Sequence, residues 1–84
     1  MKLIIIDKKE DQPTLKEAQE FVGGLVERVE LKNGDVMLID EEGKFKQNNI
    51  NPKATDHWIE SYGTTDVIFG DAILIKQNAL TDLW

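Results

Sequence analysis

One carboxylate lies among apolar residues in an arrangement that could serve chemistry. Between residues 25 and 31 the odd positions are Leu25, Glu27, Val29 and Leu31, and a β-strand places alternate side chains on one face. Burying a lone carboxylate on such a face is costly. We therefore expect Glu27 to form a strand-end salt bridge, to lie at the sheet margin, or to be held for a partner.

Glu41 is a second candidate, because it follows a predicted strand and has no evident structural task. Asn48, Asn49, Asn51 and the nearby Thr55 add neutral hydrogen-bond donors and acceptors. Such residues commonly satisfy backbone groups in turns and helix caps. Asn51 and Thr55 are therefore candidate binding residues. The structural alternative is that they form the start of a helix.

Three aromatic side chains form another candidate feature. Trp58 and Tyr62 fall on the inward stripe of a predicted helix, and Trp84 lies in the last segment. We expect these rings in the core or covering it. If they are exposed, we expect them to form a binding patch, and Trp58 is the candidate binding residue among them.

The chain contains no nucleophile–base pair and no metal-ligand set that spacing alone identifies. The chain has no cysteine and one histidine, His57, which excludes disulfides and thiolate zinc sites and leaves no nucleophile–base pair to assign. Residues 40–43, Asp-Glu-Glu-Gly, match only part of a calcium loop and predict a turn. We predict a protein that is not an enzyme, with no catalytic residue, cofactor or metal.

The net charge is acidic and spread along the chain. Sixteen acidic and ten basic residues give −6, and Lys8-Lys9 is the one adjacent basic pair, so we expect no direct nucleic-acid binding. An acidic decoy of nucleic acid is an alternative. Apolar runs such as Leu3–Ile6 reach only four residues, too short for a membrane helix or a signal-peptide core. We expect a soluble cytoplasmic domain.

Local patterns in the first half predict a strand, a helix and a hairpin. Leu3–Ile6 is β-branched and too short for a helix. Thr14 and Glu17 fit a capping box, and Gly23-Gly24 ends that helix. Residues 25–31 and 36–40 then flank Asn33-Gly34, the preferred two-residue hairpin turn, in which both residues have positive φ.

The second half completes an α+β domain over residues 1–84. A short edge strand is expected at 44–46, and a second helix from Asn51-Pro52 to about Tyr62. The nearly continuous apolar run 67–75 predicts a central strand, followed by a tail or short helix at 76–84. The order β-α-β-β-α-β predicts a small mixed sheet, with an Asn-Gly hairpin, packed against two short helices.

Several short motifs in order resemble a small domain carried by bacteriophages and mobile elements and described only as a domain of unknown function. These motifs are Val-Gly-Gly at 22–24, Asp-Glu-Glu-Gly-Lys at 40–44, Asn-Pro-Lys-Ala-Thr at 51–55 and Ile-Phe-Gly-Asp-Ala at 68–72. Asp40 departs from the asparagine of that pattern. The resemblance implies a phage-encoded accessory protein in the bacterial host cytoplasm, and it implies no reaction.

Non-catalytic binding to a host or phage protein is therefore the leading hypothesis. A small-ligand-binding domain that uses Glu27, the loop at 48–55 and the aromatic rings is the alternative. A pocket lined by Glu27, Asn51 and an aromatic ring would favour the ligand binder. A flat acidic or apolar surface would favour the protein partner.

Overall fold

The structure is a computed structural model and describes residues 1–46 and 49–84. The elements follow the predicted order, with short 3-10 turns at Lys9–Asp11 and Gln77–Ala79. The strands and helices are β1 (Leu3–Ile6), α1 (Leu15–Val22), β2 (Val26–Glu30), β3 (Val36–Asp40), α2 (Pro52–Tyr62) and β4 (Ala72–Ile75). The predicted α+β class and the β-α-β-β-α-β order are confirmed.

Four strands form one mixed sheet in the order β1-β4-β3-β2. β4 pairs in parallel with β1 and antiparallel with β3, while β2 is antiparallel to β3. β4 is therefore internal, and all of its residues are buried. β2 runs parallel to β1 at the opposite edge, so α1 crosses both inner strands between them.

An apolar core covers each face of the sheet. The buried residues on the α1 side are Ala18, Val36, Leu38, Ile73, Ile75 and Ala79. Those on the α2 side are Val29, Leu31, Met37, Ala54, Ile68, Ala72 and Leu74. Consecutive residues of β4 alternate between the two clusters, as expected of a central strand that is covered on both faces.

Both helices begin with the predicted caps. The Thr14 hydroxyl accepts a hydrogen bond from the Glu17 N–H at 3.2 Å, and the Glu17 carboxylate accepts one from the Thr14 N–H at 2.9 Å. These reciprocal bonds satisfy amides that a helix start otherwise leaves free. α2 has Asn51 as its cap and Pro52 in its first turn, where the missing proline N–H costs nothing.

The strand predicted at residues 67–75 is shorter than expected. β4 begins at Ala72, because Gly70 has a φ of 84°, a left-handed backbone conformation that interrupts an extended strand. Before it, Phe69 forms an isolated antiparallel bridge with Ile50. Ile68 packs into the α2-side core from this irregular segment, so part of the apolar run fills the core from a loop.

Other predicted elements also differ. Residues 44–46 lie in a series of turns, so the predicted edge strand there is wrong. The final segment contains only the 3-10 turn Gln77–Ala79 and continues without regular structure. Part of the predicted asparagine loop, Gln47 and Asn48, lies outside the described residues.

The hairpin turn is also not the predicted one. In the part of the chain that the structure describes, positive φ occurs only at glycines, so Asn33 does not adopt it, whereas Gly34 has a φ of 95°. The Gly34 N–H donates to the Leu31 carbonyl at 3.0 Å, and the Leu31 N–H donates to the Asp35 carbonyl at 2.9 Å. This is a three-residue hairpin loop with glycine at its left-handed position.

Asp35 supplies the reason for the longer loop. Its buried carboxylate accepts hydrogen bonds from the Asn33 side chain at 3.1 Å, the Lys76 ammonium at 3.0 Å and the Gln77 N–H at 2.8 Å. Burial alone would raise the pKa of Asp35, but these bonds outweigh it and lower the pKa below the usual aspartate value. The hairpin is thereby joined to the end of β4.

Asn51 joins three further segments. Its side chain is fully buried, and its Nδ2 donates to the Lys2 carbonyl at 2.9 Å and to the Gly70 carbonyl at 2.8 Å. Its Oδ1 accepts from the Ala54 N–H at 3.1 Å. One amide thus holds the start of α2 against the beginnings of β1 and β4.

Replacing Asn51 with alanine is expected to lower the free energy of unfolding by about 2–4 kcal/mol, because a helix cap is lost, the Gly70 carbonyl loses its donor and the Lys2 carbonyl keeps only that of Ala72. Asn51→Asp keeps the cap acceptor but not the donor, and we expect it to be destabilising as well. Urea unfolding measures both, with Thr14→Ala as the control that removes only a cap, about 1 kcal/mol. Equal losses for Asn51→Ala and Thr14→Ala would contradict this role.

Asp35 is expected to make the fold sensitive to acid. Because its folded-state pKa is lowered, its contribution is complete above the unfolded value of about 3.9 and is lost as pH falls through the folded value. Asp35→Asn should cost about 1.5–3 kcal/mol at pH 7 and flatten the stability profile below about pH 5. The exposed Asp56→Asn is the control in thermal unfolding from pH 7 to pH 2, and an equally steep profile for Asp35→Asn would refute the assignment.

Candidate functional site

A cleft opens beside the β2–β3 hairpin, on the α2 side of the sheet. Its volume is about 280 Å³. Its walls come from β2, from the end of β3 with the following turn, and from the segment before β4. We call it the β2–β3 cleft, and its lining residues are Glu27, Ile39, Asp40, Glu41, Gly43, Lys44, Phe45, Asp66, Val67, Ile68 and Phe69.

Glu27 and Glu41 enter this cleft from neighbouring strands. Glu27 lies directly opposite Ile39 in the β2–β3 ladder, and the Glu41 N–H extends the ladder by donating to the Leu25 carbonyl at 2.8 Å. Glu27 and Glu41 are therefore diagonal neighbours on one face, a relation that places backbones about 7–8 Å apart. Both side chains are exposed, so Glu27 lies at the sheet margin, one of its three expected places.

The basic residues nearest the cleft already have acidic partners. The Lys44 ammonium contacts both carboxylate oxygens of Asp66 at 2.7 Å, and Lys46 contacts Asp40 at 2.7 Å. The Lys44 hydrogen bond lowers the pKa of Asp66 against the opposing effect of partial burial. Within residues 1–46 and 49–84, no ion pair includes Glu27 or Glu41, so the cleft has a net negative charge.

An apolar rim accompanies the two carboxylates. Phe45 is 87% exposed and Val67 is 37% exposed, and both line the cleft with the half-buried Phe69. An aromatic ring held almost entirely in water loses the stabilisation that burial would give it. The cleft therefore combines uncompensated negative charge with apolar surface that a ligand would cover.

Asn51 and Thr55 do not belong to this cleft. Asn51 is fully buried with its amide occupied by protein groups, and the Thr55 hydroxyl accepts from the Ile68 N–H at 2.9 Å. Both hold α2 to the segment before β4. The structure therefore assigns these two residues to the framework behind the cleft and does not bring them together with Glu27.

Trp58 also lies apart from the cleft lining. Its indole Nε1 donates to the Thr65 hydroxyl at 2.9 Å, and its ring centroid is 4.7 Å from that of Tyr62. The Tyr62 hydroxyl donates to the Glu30 carbonyl. These contacts fasten α2 to β2, and Trp58 is half-buried against the α2-side core.

Two lining residues escaped the sequence analysis. Phe45 was expected in an edge strand, and its exposure results from the turn series that replaces that strand. Asp66 meets Lys44 across a sequence separation of 22 residues, which no local pattern indicates. Among the described positions, no group of three His, Asp or Glu side chains is arranged to hold a metal ion, and no helix is long and apolar enough to cross a membrane.

The comparison with known families supplies the classification. The model of a family described as a domain of unknown function (DUF3846) matches residues 1–83. No curated protein and no solved structure gives a significant match. The matched region contains every element and the whole cleft described above. The chain therefore belongs to the DUF3846 family.

Proposed function

We propose that this domain is a non-catalytic binding module whose β2–β3 cleft accepts a basic side chain of a partner protein. The observation that carries the proposal is the pair of exposed, diagonally placed carboxylates, Glu27 and Glu41, beside an 87% exposed Phe45. An arginine or lysine side chain has both properties that such a cleft complements. Its stem is apolar, and its tip is a cation.

The electrostatics favour a cation over an anion or a neutral group. Lys44 and Lys46 are engaged by Asp66 and Asp40, so the field of Glu27 and Glu41 is not cancelled by a neighbouring base among the described residues. A guanidinium presents a planar fork of donors to carboxylates. It also stacks favourably on an aromatic ring such as that of Phe45.

The size of the cleft favours a side chain as the inserted group. About 280 Å³ lies just below the range of roughly 300–1,000 Å³ typical of small-molecule pockets. A standard protein interface of about 800 Å² per partner would cover roughly 15% of the 5216 Å² surface. The cleft would then be one anchoring pocket of a larger contact, with Phe45 as an apolar anchor.

A host or phage protein is the partner that the motif resemblance supports. We propose that the domain acts on it by stoichiometric contact in a bacterial cytoplasm. The small-ligand alternative shares the same cation chemistry, because a free amine or guanidine could occupy the same carboxylates. The experiment below therefore includes a peptide arm and a small-molecule arm.

Blocked pentapeptides Ala-Ala-Xaa-Ala-Ala are the probes, with arginine, lysine or uncharged citrulline at the centre. In ¹⁵N-detected titrations at low salt, the arginine and lysine peptides should shift amide signals of cleft residues, whereas citrulline should not. The double variant Glu27→Gln with Glu41→Gln should bind about 5- to 10-fold more weakly, since each exposed ion pair contributes up to about 1 kcal/mol. The matched control is Glu10→Gln with Glu60→Gln, which removes the same charge from exposed sites outside the cleft.

The outcomes distinguish a protein side chain from a free small-molecule cation as the ligand of the cleft. Arginine amide, which has a free α-ammonium besides its guanidinium, would bind more tightly than the blocked arginine peptide if the ligand were a free small-molecule cation, and that result would contradict the protein partner. Equal loss in both double variants, or no shifts at the cleft, would contradict the cation site itself. Adding 0.15 M salt is expected to reduce the peptide-induced shifts whether the ligand is a protein side chain or a free cation, because exposed charges are screened.

Glu27→Gln is also expected to leave the free energy of unfolding equal or slightly improved. The side chain is exposed and forms no salt bridge with the described residues, and its removal relieves repulsion from Glu41. Urea unfolding of Glu27→Gln beside wild type is the measurement. A loss of about 1.5–3 kcal/mol, the value of a charge-assisted hydrogen bond, would show that Glu27 is a structural residue.

A further inference from the structure

The two edges of the sheet differ in how they are protected. β2, at one edge, has the exposed charged side chains Glu27, Arg28 and Glu30. β1, at the other edge, is Leu-Ile-Ile-Ile and contains no charge. Open strand edges can pair with other chains, and proteins limit this with short edge strands, charges, prolines or bulges. The β2 edge is protected by charge, whereas the β1 edge is limited only by its length of four residues.

The backbone of β1 offers unused hydrogen-bonding groups. At the two ends of the β1–β4 ladder the Ala72 N–H donates to the Lys2 carbonyl and the Lys76 N–H to the Ile6 carbonyl, both at 2.9 Å. Backbone groups alternate in direction along a strand, so even-numbered residues face β4. The N–H and C=O groups of Leu3 and Ile5 therefore point away from the sheet, where no strand among residues 1–46 and 49–84 lies beside β1.

The side chains of β1 leave apolar surface exposed on both faces. Ile5 is 54% exposed on the α2 side, and Ile4 is 37% exposed on the α1 side. The helices cover the central strands and do not complete the cover over β1. A further strand beside β1 would satisfy the outward backbone groups and shield both side chains.

We infer that β1 pairs antiparallel with β1 of a second copy of this chain, which joins two four-stranded sheets into one of eight strands. A twofold axis through Ile4 sets Leu3 opposite Ile5 of the partner and Ile4 opposite its own equivalent. The outward groups of Leu3 and Ile5 then form the hydrogen-bonded pairs, as an antiparallel ladder requires. The contact is isologous, so it closes at two copies.

The sequence around β1 selects this register over its neighbours. Moving the axis to Ile5 would set Lys2 directly opposite Lys8 of the partner, a destabilising like-charge pair. Moving it to Leu3 would set Lys2 against Ile4 and leave Ile6 beyond the pairing. The axis at Ile4 sets Leu3 opposite Ile5 and Ile4 opposite its own equivalent, with Lys2 opposite Ile6 at each end and no like-charge pair, so a second copy complements this edge.

The chain lacks cysteine, so one introduced thiol gives an unambiguous test. In the proposed register the two Ile4 residues are a non-hydrogen-bonded pair with Cα atoms about 4.5 Å apart, within the range that a disulfide spans. Ile4→Cys should give a covalent dimer under mild oxidation at least tenfold faster than Leu25→Cys. Leu25 is a matched control because it is 58% exposed and precedes the opposite edge strand.

Sedimentation equilibrium from 10 µM to 1 mM tests the unmodified contact. A four-residue strand makes a small interface, so we expect a concentration-dependent dimer, which Ile5→Lys abolishes and Leu25→Lys does not. The urea midpoint of Ile5→Lys at low concentration verifies its folding, since Ile5 is already half exposed. A wild-type chain that stays monomeric at 1 mM, or equal oxidation rates for the two thiol variants, would overturn the inference. Either result would leave the edge to an extended segment of another protein.

Discussion

A single buried amide holds the parts of this domain together. Asn51 has no exposed surface, and each polar atom of its side chain has a partner in a different segment. A buried polar group without partners is costly, whereas a satisfied one fixes its surroundings in one arrangement. An aspartate could not donate to the two carbonyls, and a glutamine would place its amide one methylene farther from them. The residue type is therefore dictated by the geometry around it.

The β2–β3 cleft depends indirectly on the contacts that hold α2 to the segment before β4. The Thr55 hydroxyl, one turn into α2, bonds the Ile68 N–H, and Asn51 bonds the Gly70 carbonyl. These two contacts fix the segment that places Asp66, Val67 and Phe69 on the wall of the cleft. The opposite wall is set by the β2–β3 ladder. The two walls are thus positioned by different means, one by side-chain bonds and the other by a sheet.

Sequence patterns predicted those features that depend on neighbouring residues. The capping box at Thr14, the Asn51 cap and the central apolar strand each follow from local chemistry, and the structure confirms them. The turn at Asn33 was predicted wrongly, because the preference of Asn-Gly for a two-residue loop yielded to the distant hydrogen bonds of Asp35. That carboxylate meets Lys76 across 41 residues. The exposure of Phe45 was hidden for a similar reason, since it depends on how the chain leaves β3. Of the candidate site residues, Glu27 and Glu41 line one cleft, while Asn51, Thr55 and Trp58 serve the framework.

The position of β4 has a consequence for how the molecule is made. Of the four strands of this sheet it is the last to leave the ribosome, yet it is the one that joins β1 to the β2–β3 hairpin. Until it emerges, the hairpin can pack against α1, but its inner edge is unpaired, and β1 has no neighbouring strand. Contacts between segments so far apart in sequence form slowly, and exposed strand edges invite misassembly in that interval. During synthesis, the apolar residues of β1 therefore stay exposed to water until β4 of the same chain is available to pair with them.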